Sequence, residues 1–180
     1  MNIATQLLYE YGNYGPVFLF IYSLYLLWYK ENVLYYYCIG VFLDTILNLV
    51  LKAFFKQPRP SIDNKMFNLS LRNGERFVFK DSIIPYDILG MPSGHSESSF
   101  FSTTYVFLVL RKTNILFFYL MTSIITMYQR VHFNHHTVPQ VIVGAVVGML
   151  FAYFMYYISQ QTIKGKITEK PDDDAPFNSL

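Results

Sequence analysis

The chain has 180 residues, of which 53% are hydrophobic, 19% aromatic and only 14% charged, which excludes a disordered or collagen-like protein and falls well below the roughly one-quarter charged content of soluble domains. A formal net charge of +2, with no basic stripe interleaved with aromatics, excludes nucleic acid as a partner. Charged residues are missing from 11–29, from 113–129 and from all 33 positions of 131–163, so the chain reads as an all-α integral membrane protein.

In chain order, residues 1–12 place Ile3, Leu7, Leu8 and Tyr11 on one face and predict a short interfacial helix. No basic stretch or small-residue cleavage site precedes the first apolar run, which therefore reads as a retained anchor. About five transmembrane helices are predicted, over 14–29, 33–55, 95–110, 113–128 and 138–159, in a single membrane-embedded unit spanning 1–160. A polar tail, 161–180, with Pro171 and Asp172 to Asp174, is predicted to be disordered. The lone cysteine, Cys38, allows no internal disulfide.

The second predicted span carries Asp44, Asn48 and Lys52 at i, i+4 and i+8, a polar stripe on one helical face. Asp44 is either a structural partner inside the bundle or part of a site, and at 1.5 Å per residue it lies about 12 Å below Lys52. Lys52 begins the string that ends in Arg59 and Pro60. Two cations flanking a helix end can converge on a polyanion, and they can equally anchor a span at the interface. The long loop over 56–92 then follows. Within it Leu69, Leu71, Phe77 and Phe79 alternate around Asn73-Gly74, which predicts a small β-hairpin, and Asn68-Leu69-Ser70 has the glycosylation pattern.

Before the third span stands Pro92-Ser93-Gly94-His95. Such a helix start exposes backbone N–H groups to an anion, Ser93 also suits a plain helix cap, and His95 can donate a proton near neutral pH. Between the fourth and fifth spans lies a run from Gln129 and Arg130 through His132, His135 and His136 to Thr137 and Gln140. Gln140, four residues beyond His136, can hold one imidazole nitrogen. Thr137 with Gln140 also fits a capping box, and His132 with His136 imitates a metal pair, although no carboxylate or Cys ligand stands nearby. Gly144, Gly148 and Ala152 continue the His136 face as a close-packing stripe. An up-and-down count of helices brings all three clusters to one side of the membrane.

Lys52-x6-Arg59-Pro60, Pro92-Ser93-Gly94-His95 and Arg130-x5-His136 resemble, in order and spacing, the three signature motifs of the type 2 phosphatidic acid phosphatase family of membrane lipid phosphatases. The resemblance implies a phosphatase without metal or other cofactor. In it His136 attacks phosphorus and is transiently phosphorylated, and His95 protonates the leaving group. Lys52, Arg59, Ser93, the backbone of Gly94 and Arg130 would hold the phosphate. Gln129 stands where the family usually has Ser and Gln140 where it usually has Asp, and a glutamine at the latter place is similar to the dolichyl diphosphatase branch. The implied partner is a membrane lipid in the bilayer, dolichyl diphosphate first, with phosphatidic acid or undecaprenyl diphosphate as alternatives. A non-catalytic lipid-phosphate binder and a transporter compete from other classes. Lys30, Arg111-Lys112 and Lys164 to Lys170 mark the side opposite the motifs as cytoplasmic, which turns the site to the endoplasmic reticulum lumen or the exterior.

Overall fold

The computed structural model describes residues 2–78 and 86–162, which are mostly helical with one small sheet. Five long helices, α1 (Ile3–Leu27), α2 (Glu31–Phe55), α4 (Gly94–Leu110), α5 (Thr113–His132) and α6 (Val138–Thr162), form the bundle. Between α2 and α4 lie α3 (Asn64–Arg72) and the strands β1 (Phe77–Val78) and β2 (Tyr86–Asp87), which pair antiparallel with Phe77 opposite Asp87. By length and composition, two of the helices, Glu31–Phe55 and Val138–Gln161, are apolar enough to cross a membrane.

The first helix corrects the expectation of a separate interfacial segment. It starts at Ile3, capped where the Asn2 side chain accepts from the Thr5 N–H at 2.8 Å, and runs unbroken through Gly12 and Gly15. Those two glycines let α1 approach Gln129 and Thr126 of α5, so the segment is continuous with a helix packed into the bundle from Gly12 onward, while Ile3 and Leu7 stay exposed. The expected hairpin at Asn73-Gly74 is also corrected. Residues 64–72 are helical, and Asn73-Gly74 forms the turn that ends α3, with the Gly74 N–H donating to the Leu71 carbonyl at 3.2 Å. Of the alternating residues, Leu69 and Leu71 are exposed on α3, whose buried face is Phe67 against Ile88 and Leu89, while Phe77 lies in β1, so the loop does carry a small two-stranded sheet but its strands do not flank Asn73-Gly74. Asn68 is exposed there but Ser70 is buried. Phe79 and nearly all of the predicted tail lie outside the described residues, although Gln161 and Thr162 belong to α6.

The helix α4 is central and packs on α1, α2, α5 and α6. Its closest neighbour is α6, because the small-residue stripe lets the backbones meet: a Cβ on Gly144 would come within 2.5 Å of the Ser93 carbonyl, and one on Gly148 would overlap the Glu97 carbonyl. Backbone cannot swing aside as a side chain does, so Gly148→Ala is expected to destabilise the fold by about 1–3 kcal/mol, read as a lower unfolding midpoint in detergent. An unchanged midpoint would show that the two helices have room to part.

Away from the motif end, Leu19, Tyr37, Phe101, Tyr105 and Tyr119 form an aromatic-rich core whose phenol groups are all satisfied: Tyr37 by Ser102, Tyr119 by Ser23, and Tyr105 by the Val33 carbonyl. Polar side chains such as Ser23, Asp44, Asn48, Ser99 and Thr126 are buried, whereas Phe18, Ile21, Phe42, Phe117, Ile124 and Leu150 are exposed. Among these side chains the usual distribution of a water-soluble domain is inverted.

Candidate active site

All three clusters meet at one end of the bundle. The chain leaves α2 at Lys56, whose left-handed backbone (φ 48°) turns it out of the helix, while Lys52 one turn earlier is buried at the helix end. The Lys52 ammonium donates to Asp87 at 2.9 Å, and Arg76 grips the same carboxylate through Nε at 3.2 Å and Nη2 at 3.1 Å. Burial works against the Asp87 charge, but Arg76 and then Lys52 hold its carboxyl below the ordinary value. Its stabilising contribution is therefore present at neutral pH and is lost only as pH falls through that depressed value. Arg59 is fixed by its backbone N–H on the Ile88 carbonyl at 3.2 Å and by its guanidinium over the Tyr86 ring at 4.6 Å. The buried Nε of Arg59 has no hydrogen-bond partner among the described residues.

Ser93 occupies the N-cap position of α4, but its side chain makes no capping bond. Its hydroxyl instead accepts from Ser96 at 3.2 Å, and the first-turn N–H groups of α4 open beside it. The loop is held from α6, where the Gln140 carbonyl accepts the Ser93 N–H at 3.0 Å. His95 meets Arg130 across the site, Nε2 to Nη1 at 3.3 Å. A guanidinium only donates, so this imidazole nitrogen is the acceptor. Arg130 is buried, with Nε on Gln129 at 2.7 Å and Nη2 on Asn13 of α1 at 2.8 Å. Gln129, in the place the family usually gives to Ser, thus aims the arginine.

His136 is buried at the start of α6, one turn from Arg130, whose carbonyl accepts the His135 and His136 N–H groups at 3.0 and 3.1 Å. Its Nδ1 faces two acceptors, the Gly90 carbonyl at 2.8 Å and Gln140 Oε1 at 3.3 Å. Nδ1 must carry the proton, which leaves the Nε2 lone pair free. Burial, followed by the charges of Arg59, Lys52 and Arg130, holds the His136 imidazole well below its ordinary value, against a weaker pull upward from Gly90. A neutral imidazole surrounded by three cations suits attack on an anionic phosphorus.

Both readings of Gln140 hold together. Its Oε1 accepts the Thr137 N–H at 3.1 Å as a helix cap and lies beside His136, while its Nε2 donates to the Pro58 carbonyl at 3.0 Å and ties down the Arg59 loop. His132 does not join His136. It ends α5, stacks on Tyr128 with ring centroids 5.5 Å apart and meets Phe133 edge to face at 4.9 Å. Asp44 is a bundle partner, accepting from Ser98 at 3.4 Å, and Asn48 donates to Glu97 at 2.5 Å behind the Gly94 backbone. His135 lies near Tyr9, and burial, then Arg130 and Arg59, push its imidazole down to about 4. Asn13, Arg76, Asp87 and Gly90 were missed from sequence. Arg76 and Asp87 were visible only as loop charges, Asn13 sat in an uncharged helix, and Gly90 acts through its backbone.

The sequence profile of the PAP2 superfamily matches residues 33–164. A dolichyldiphosphatase from Saccharomyces cerevisiae is 28% identical over 130 residues, 66% of this chain and 48% of that protein, so the chain spans about half the length of this curated relative. Two crystal structures share the fold. Aquifex aeolicus LpxE superposes with a TM-score of 0.65 at 21% identity, covering 87% of both chains. A PAP2-type phosphatidylglycerolphosphate phosphatase from Bacillus subtilis gives 0.64 at 15% identity, covering 91% of this chain and 80% of the other.

Proposed function

The chain belongs to the PAP2 superfamily, and from that premise we propose that it is a membrane lipid phosphatase that removes the terminal phosphate of an isoprenoid diphosphate, dolichyl diphosphate foremost. The observation that carries the reaction class is His136, with Nδ1 committed to the Gly90 carbonyl and a free Nε2 among Lys52, Arg59 and Arg130. The substrate class is supported by the yeast relative and by Gln140, the residue expected of that branch.

In the proposed sequence, phosphate enters between Lys52, Arg59, Arg130 and the first-turn N–H groups of α4. Its negative charge replaces His95 as the partner of Arg130 Nη1 and favours a protonated His95. His136 Nε2 attacks phosphorus, forming a P–N bond as the bond to the bridging oxygen breaks, and His95 gives its proton to that oxygen. Water then attacks phosphorus, with His95 taking up its proton, and the P–N bond breaks to release inorganic phosphate and restore His136. The exposed apolar faces of α1, α2, α5 and α6 favour all five long helices crossing the bilayer, and the basic Lys30 and Arg111-Lys112 at the opposite end favour a site on its lumenal or outer side.

The test is phosphate release from dolichyl diphosphate and from phosphatidic acid in detergent with EDTA present. Release from the diphosphate alone supports the proposal, release from both widens the substrate class, and release from neither by folded protein overturns it. His136 must be neutral to attack, and its depressed value means that a proton is taken up only in acid. The acid limb of kcat/KM is therefore expected well below the ordinary histidine value of 6.5. A half-maximal rate near that value would contradict the buried, cation-ringed nucleophile.

A further inference from the structure

Among the described residues, the best-connected side chain beside the site is Asp87. Its carboxylate takes four hydrogen bonds: from Lys52 Nζ, from two nitrogens of Arg76, and from the Leu89 N–H at 3.0 Å. Arg76 is itself tied back to α2, donating from Nη1 to the Leu49 carbonyl at 3.0 Å, three residues before Lys52. The ring from Leu49 through Arg76 and Asp87 to Lys52 closes the loop onto the helix. A lysine ammonium sits on a four-carbon stem and does not orient itself, whereas a carboxylate gripped by an arginine fork and a backbone N–H is fixed. Lys52 spends one donor on Asp87 and keeps two for an incoming oxyanion.

We propose that Asp87 is a positioning residue that aims Lys52 at the phosphate, and that Arg76 retains Asp87 so that the pair sets how much positive charge the phosphate meets. This rests on the reading of Lys52 as a phosphate ligand. The three groups sum to one positive charge. Removing Asp87 raises that sum and leaves Lys52 unaimed, while removing Arg76 cancels it and leaves Asp87 to Lys52 alone. Two substitutions in one ion-pair cluster should therefore move anion affinity in opposite directions, which loss of packing would not do.

The experiment measures inorganic phosphate binding to the intact protein in detergent by calorimetry, alongside turnover of dolichyl diphosphate. Asp87→Asn is expected to bind phosphate about tenfold more tightly, and Arg76→Gln about tenfold more weakly. Asp87→Asn is also expected to lower kcat about 10- to 100-fold, a loss that largely disappears in a Lys52→Met background because the two groups act as a unit. Weakening of phosphate in both variants, or an undiminished kcat loss without Lys52, would overturn the proposal. So would a folded wild-type protein that does not bind phosphate. Opposite affinity shifts in a protein that releases no phosphate from lipid would support the role of Asp87 while refuting the phosphatase reading. Should Asp87→Asn fail to fold, the partly exposed Arg76 carries the test alone: unchanged phosphate affinity in Arg76→Gln overturns the proposal.

Discussion

Replacing His136 by alanine is expected to lower phosphate release by a factor on the order of 10⁵ or more, with lipid-phosphate binding retained. The size follows from the role, since no other described residue pairs a free, neutral imidazole nitrogen with an orienting main-chain carbonyl among three cations. The measurement is phosphate release in detergent, with rapid alkaline quench to trap a phosphorylated protein. The wild type should carry an acid-labile, alkali-stable phosphoryl group during turnover, and His136→Ala should carry none. Turnover within tenfold of wild type in the variant would remove His136 from the chemistry and leave the cations as a binding site.

The second large effect is at Arg130, where Arg130→Gln is expected to cost about 10³-fold in kcat, and Arg130→Lys to restore little of it. Arg130 uses separate nitrogens on Gln129, Asn13 and His95, and only a planar fork reaches all three. Lysine keeps the charge but leaves Gln129 Oε1 and Asn13 Oδ1 without their donor in a buried setting. The informative readout is the division between KM and kcat. A loss mainly in kcat places the guanidinium on the developing transition-state charge, whereas a loss confined to KM would reduce it to a ground-state anchor.

Much of this was legible in the sequence because long apolar helices advertise themselves. Apolar stretches located all five long helices, three of them in charge-free runs, and helix parity brought Lys52, Ser93, His95, Arg130 and His136 to one end, where hydrogen bonds between α4, α5 and α6 hold the last four and Asp87 holds Lys52. Two local signals misled. Asn73-Gly74 ends a helix as readily as it turns a hairpin, and burial of Phe67 against Ile88 and Leu89 favoured the helix. The first twelve residues read as interfacial because only apolar spacing was visible. What joins them to the bundle is the absence of side chains at Gly12 and Gly15, which lets α5 approach there and brings Asn13 to Arg130. The Asp87 hub was illegible for another reason. Lys52 and Asp87 stand 35 positions apart, and nothing in local periodicity reports a pairing across a loop.

The carbonyl of Gly90 is a main-chain group, and so no change of side chain at that position can delete the acceptor that fixes the His136 tautomer. The imidazole is oriented before any contribution from residue 140. A lineage with this arrangement can exchange carboxylate for amide at 140 without passing through a misoriented nucleophile, so divergence at that position is permitted by the backbone. The constraint moves to Gly90 itself, where a Cβ would displace the Gln140 amide from its bonds to Thr137 and Pro58. The freedom to vary at one residue is thus underwritten by the lack of it at another.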